Sequence, residues 1–158
     1  MPRRDISMSA AEVAAFLEQG RILQVASLHP DGRPHLVPMW YVMEEGQVVF
    51  RSFTISQKIR NLRRDPRLSV LVERGEAYAE LQGVMIQGQA RLVDDPAHVL
   101  ALYGKLAAKY SMVGGVPRGL SPQELEAAFG RHAAKNTAVV VEAERVASWD
   151  HRKLGGAY

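Results

Sequence analysis

Apolar residues recur along this chain in short runs broken by turn residues, and the period of each run predicts its element. Ser9-Ala10-Ala11-Glu12 has the form of a capping box, and Val13, Phe16 and Leu17 follow at helical spacing until Gly20, which predicts a short opening helix. Ile22 to Leu28 is extended, and His29-Pro30-Asp31-Gly32-Arg33 has the composition of a turn. Pro34 to Met43 predicts a second strand, at an edge or a bulge because neither Pro34 nor Pro38 can donate to a ladder. Glu44-Glu45-Gly46 turns the chain into a third strand, Gln47 to Ser52. Ser56 then stands where it can cap a two-turn helix whose Ile59 and Leu62 share a face and which Asp65-Pro66 stops. Leu68 to Val72 and Ala79 to Val93 read as strands four and five, with Gly83 and Gly88 marking close approach or bulging. Asp94-Asp95-Pro96 starts a helix whose stripe of Val99, Leu102 and Leu106 reads as core. Residues 112–120 read as loop, and Ser121-Pro122-Gln123-Glu124 is a second capping box leading through Leu125 and Phe129. Thr137 to Val146 predicts a sixth strand, and Ser148 to Tyr158 a polar tail.

Hairpin after hairpin with one small inserted helix points to a mainly β, α+β fold: a closed or half-closed antiparallel barrel of six strands with flanking helices. The 158 residues suit one domain, 1–158, with a sizeable core. A doubly wound nucleotide fold is disfavoured, because no GxGxxG follows a strand and no GxxxxGK[ST] occurs.

Composition excludes several chemistries. With no cysteine, disulfides, thiolate catalysis and cysteine-based metal sites are out. No segment approaches the ~20 apolar residues of a membrane span, and MPRRDISMSA lacks the apolar core of a signal peptide, so a cytoplasmic protein is expected. The five histidines, His29, His35, His98, His132 and His151, show no metal spacing. His35, Tyr41 and Tyr158 remain candidates for substrate contact only.

Charge changes the picture more. Net charge is +3, yet Arg51 to Arg74 holds seven basic residues against Asp65 and Glu73, a local excess of +5. A focused patch of this kind attracts phosphate, oligoglutamate or nucleic acid. Lys58 falls in the first turn of the short helix, beside backbone N–H groups that already carry roughly half a positive charge. An exposed cation there becomes favourable if an anion sits over the helix start, held by N–H groups, a hydroxyl and the ammonium together. The same charges also suit a solvated basic helix without a ligand.

The order DGRPHLVPMWYV, VVFRS, SQKIRNLRRDPRLSVLV and GVMIQGQARLV, over residues 20 to 95, resembles the pyridoxamine-phosphate-oxidase-like split β-barrel family of flavin and deazaflavin binders. It looks closest to the deazaflavin-dependent branch, whose members carry a lysine followed by Arg-Asn-Leu-Arg-Arg-Asp-Pro, as Lys58 and Arg60 to Pro66 do here. Ala147 to Arg152 is similar to the family's closing Trp-containing segment. The resemblance implies a six-stranded antiparallel split barrel, a homodimer with two cofactors between subunits, and an oxidoreductase moving a hydride to or from a small organic substrate. It implies a cofactor phosphate at Arg51, Ser52, Ser56, Gln57 and Lys58, a ring along Val37, Pro38, Met39 and Trp40, and Trp149 and Arg152 supplied by the partner.

Phe50-Arg51-Ser52 stands where true pyridoxamine phosphate oxidases carry Tyr- or Phe-Thr-Asn, and Gly83 falls near their glutamine, so oxidation of the vitamin is not expected. FMN and coenzyme F-420 remain in competition. The basic excess favours F-420, whose oligoglutamate tail gives Arg63, Arg64 or Arg67 carboxylates to meet. The rival readings are a non-catalytic carrier or sensor of flavin or haem and, last, a nucleic-acid module, which the lack of interleaved aromatics disfavours.

Overall fold

A computed structural model describes residues 5–155 of the chain, and Tyr158 lies outside them. Seven strands, β1 Leu23–Leu28, β2 Pro34–Met39, β3 Val42–Glu44, β4 Gln47–Phe53, β5 Arg67–Arg74, β6 Gln82–Val93 and β7 Asn136–Asp150, form one antiparallel sheet in the order β2-β1-β5-β6-β7-β4-β3. The helices are α1 Ala10–Gln19, α2 Gln57–Arg64, α3 Pro96–Lys109 and α4 Pro122–Ala133. Both capping boxes form, at Ser9 with Glu12 and at Ser121 with Glu124. Asp95 caps α3 through the Ala97 N–H at 3.1 Å.

β2 and β3 occupy opposite edges of the sheet, yet only Trp40 and Tyr41 lie between them in the chain. Three peptide steps reach at most ~11 Å. The sheet therefore curls until its edges meet, and the half-barrel is closed there by the chain itself rather than by a ladder. The six expected strands become seven at this point, because the stretch Pro34 to Met43 divides. The backbone of Tyr41 is taken out of any ladder by Tyr110, whose hydroxyl accepts from the Tyr41 N–H at 3.2 Å and donates to its carbonyl at 2.9 Å. The Tyr41 side chain is fully buried and donates to the Leu17 carbonyl. At the other end, β7 runs four residues past the expected Val146, since β6 pairs with it as far as Gln82 opposite Asp150.

Alternation along β4 divides the core in two. Val48, Phe50 and Ser52 point into the barrel, which α1 plugs with Phe16 and Leu17 and α2 with Ile59 and Leu62. Val49 and Arg51 point outward, where the stripe of Val99, Leu102 and Leu106 on α3 packs as predicted. β7 bulges opposite Gln87 and Gly88, and a Cβ on Gly88 would sit 2.0 Å from the Glu142 carbonyl oxygen, so the expected close approach is a backbone one. No described helix is long and apolar enough to cross a membrane.

The C-terminal segment is tied down by Asp150. Its buried carboxylate accepts from Gln82 Nε2 at 3.0 Å and from Arg152 Nη2 at 2.6 Å and Nε at 2.9 Å. The Arg152 hydrogen bonds outweigh burial and hold the carboxyl below its ordinary value of 3.8. The stability contributed by this carboxylate is complete above that value and is lost as pH falls through the lower folded one. Asp150→Asn should cost ~1–3 kcal/mol at neutral pH, and thermal midpoints of wild type and variant should converge as the pH is lowered past 3.8. A gap that stayed constant on acidification would contradict this.

Candidate anion and cofactor site

α2 is placed by its buried face, Ile59, Asn61 and Leu62, and three residues separate its start from the end of β4. Ser56 occupies the N-cap with extended backbone, but its side chain makes no capping hydrogen bond; its Oγ lies 3.0 Å from Ser52 Oγ instead. The first-turn N–H groups are thus left without a side-chain acceptor, and no acidic residue stands in that turn. Lys58 is not fully exposed, as expected from sequence, but half-buried; Nζ donates to Ser52 Oγ at 2.9 Å, and burial pushes its pKa down. Among the described residues it has no ion-pair partner. A half-buried ammonium, the positive end of a helix and two hydroxyls converge with no negative charge among them. Each is less costly with an anion in place.

Behind this first layer, Gln57 Nε2 donates to Asn61 Oδ1 at 2.9 Å and Asn61 Nδ2 to Ser27 Oγ at 3.1 Å, with Asn61 fully buried. His35, opposite Ser27 in the β1–β2 ladder, stacks edge-on against His29. Burial first, then the electrostatic influence of the neighbouring His29 and Lys58, lowers its pKa. Sequence reasoning missed Ser27 and Asn61. The available signal was a polar residue at an inward position: Ser27 continues the Leu23, Val25 face of β1, and Asn61 sits between Ile59 and Leu62.

The expected residues do not all converge. Arg51 leaves β4 on the face opposite Ser52. Its guanidinium lies 4.0 Å over the Tyr103 ring, and Nη1 donates to Asn136 Oδ1 at 3.1 Å. With Pro38, Met39, Trp40, Ile22 and Leu106 it borders a cavity of about 430 Å³. Trp40 stacks on Tyr110 with centroids 4.5 Å apart. Val37 turns inward against the barrel core instead.

Three of the four arginines from Arg60 to Arg67 already have partners. Arg63 pairs with Asp94 at 2.7 Å, Arg64 donates to the Leu28 carbonyl, and Arg67 pairs with Asp65 at 2.6 Å, which holds that carboxyl at about 2. Arg60 is exposed and makes no side-chain hydrogen bond or ion pair to a described residue. Trp149 packs so closely on Gly83 that a Cβ there would meet its ring at 2.2 Å, and Arg152 is held by Asp150. Both lie at the far end of β7 from Thr137, roughly 40 Å along the strand at ~3.3 Å per residue, so within one chain they do not join the α2 site.

A family model described as pyridoxamine 5′-phosphate oxidase matches residues 9–150. The crystal structure of a conserved hypothetical protein from Mycobacterium tuberculosis is 37% identical, covering 98% of this chain and 92% of that one, with a TM-score of 0.86. An F-420 reductase is 23% identical, over 84% of this chain and 93% of that one, with a TM-score of 0.62. An FAD-binding protein from Mesorhizobium loti is 21% identical, over 90% and 94%, with a TM-score of 0.65. The last two share the fold.

Proposed function

The chain belongs to the pyridoxamine 5′-phosphate oxidase family, and from that membership we propose that it is a flavin- or deazaflavin-dependent oxidoreductase that seats its cofactor phosphate at the start of α2. The observation that carries this reading is Lys58: half-buried, without a counter-ion among the described residues, on a Ser52 hydroxyl beside an uncapped helix start. Lys58, Ser52, Ser56 and the N–H groups of Gln57 and Lys58 would hold the phosphate. Pro38, Met39 and Trp40 offer an apolar wall for a ring. When bound, such a cofactor supplies the hydride chemistry. The protein's own part is to hold the phosphate, fix the ring against β2 and exclude water from its face.

Between cofactors we favour coenzyme F-420, on the strength of Arg60, an exposed cation one turn beyond the phosphate seat with no described partner. FMN is the second reading, favoured by the internal pairing of Arg63, Arg64 and Arg67, which leaves fewer cations for a carboxylate tail. Fluorescence titration of purified protein should give tighter binding of F-420 than of FMN. Arg60→Glu should weaken F-420 about threefold to tenfold and FMN little, with the difference shrinking as salt screens the exposed contact. Equal losses would move the assignment to FMN, and no saturable binding of either would end the reading.

The functional unit on this account is a homodimer. Trp149 and Arg152 can join a cofactor site only from a second copy, and Ala26, Leu71, Met85 and Ala147 form an outward, partly exposed sheet face outside both core clusters. Sedimentation should report about twice the 17.5 kDa chain mass. A stable monomer that still binds cofactor would contradict it.

A further inference from the structure

We propose that the cavity beside Trp40 binds a small planar organic monoanion, its apolar body against Ile22, Met39 and Trp40 and its carboxylate on Arg51. Arg51 is the one charged residue among the six that border this space of about 430 Å³, a volume that suits a small ligand. Among the described residues no carboxylate lies within ion-pair distance of it. Among the described residues its charge is met only by the Tyr103 ring face and the Asn136 amide oxygen, and its buried Nε has no hydrogen-bond partner. Burial accordingly pulls its pKa down. A half-buried, incompletely satisfied guanidinium in an apolar wall is stabilised by one carboxylate, since a single negative charge balances it and the planar fork matches a carboxylate edge. Trp40, held flat by its stack on Tyr110, favours a planar body. The place is distinct from the phosphate seat, because Arg51 and Ser52 leave β4 on opposite faces, but it shares Pro38, Met39 and Trp40 with the wall offered to a cofactor ring, so the anion lies where it would meet that ring.

The proposal rests on the cofactor reading only in naming the occupant a substrate rather than a ligand. Its test is calorimetric titration of the full-length protein, without cofactor, with 2-naphthoate and its neutral counterpart 2-naphthamide, alongside separate F-420 and FMN titrations. The acid should bind at least tenfold more tightly than the amide. Arg51→Met should bring the two to parity while leaving cofactor affinity within about threefold, and Arg51→Lys, which keeps charge without the fork, should retain part of the preference. Equal affinities in the wild type overturn the proposal even if a variant fails to fold, as does an undiminished preference in Arg51→Met. Loss of the preference together with dissociation of a dimer in Arg51→Met assigns the cavity to a second copy and also overturns it. A clear acid preference without F-420 or FMN binding sustains the anion site and removes the cofactor reading alone.

Discussion

Lys58→Ala lowers cofactor affinity about ten- to a hundredfold, ~1.5–3 kcal/mol, while leaving the unliganded protein as stable as the wild type or slightly more so. The two effects have opposite signs for one reason. Without an anion, the ammonium is half desolvated at the positive end of α2, and its pKa is pushed down by that burial. Removing it relieves an unfavourable charge in the free protein and deletes a charge-assisted bond in the complex. Fluorescence titration and a thermal melt on the same sample measure both. An unchanged affinity in a folded variant removes the phosphate assignment, and a large drop in midpoint with affinity retained makes Lys58 a structural residue.

Phe50→Ala costs about 3–5 kcal/mol, enough to move a denaturant midpoint far from wild type. Phe50 is fully exposed to the barrel core and fully hidden from solvent, with Val139 its register partner on β7. It is also two residues before Ser52 on the same inward face, so a cavity there loosens the strand end that holds Lys58. Urea unfolding should show the lower midpoint, and cofactor affinity in the remaining folded population should fall as well. A loss below about 1 kcal/mol would mean that the site collapses around the cavity, contrary to the packing described.

Local chemistry made the helices readable: Ser9 with Glu12, Ser121 with Glu124 and Asp95 before Pro96 each satisfy helix-start donors within a few residues. The division of the second strand at Tyr41 was not readable, because the group that takes its backbone is the hydroxyl of Tyr110, 69 residues away. The continuation of β7 to Asp150 likewise depends on β6, whose partner residues lie more than 60 positions earlier. In the candidate site, Lys58 with Ser52 and Ser56 could be assembled from one short stretch. The exit of Arg51 to the opposite face follows from strand alternation, yet the resemblance grouped it with its neighbours. The pairing of Arg63 with Asp94 needed the fold, and without it a chain of arginines looked freer than it is.

Whether the cofactor phosphate lies at the α2 start is decided by a crystal structure of the protein grown with coenzyme F-420, and separately with FMN. A phosphorus peak is expected over the first turn of α2, with phosphate oxygens within hydrogen-bond distance of Lys58 Nζ, Ser52 Oγ and the Gln57 and Lys58 N–H groups. A phosphate bound instead against Arg51 in the Trp40 cavity, or a cofactor that leaves the α2 start empty, would contradict that placement.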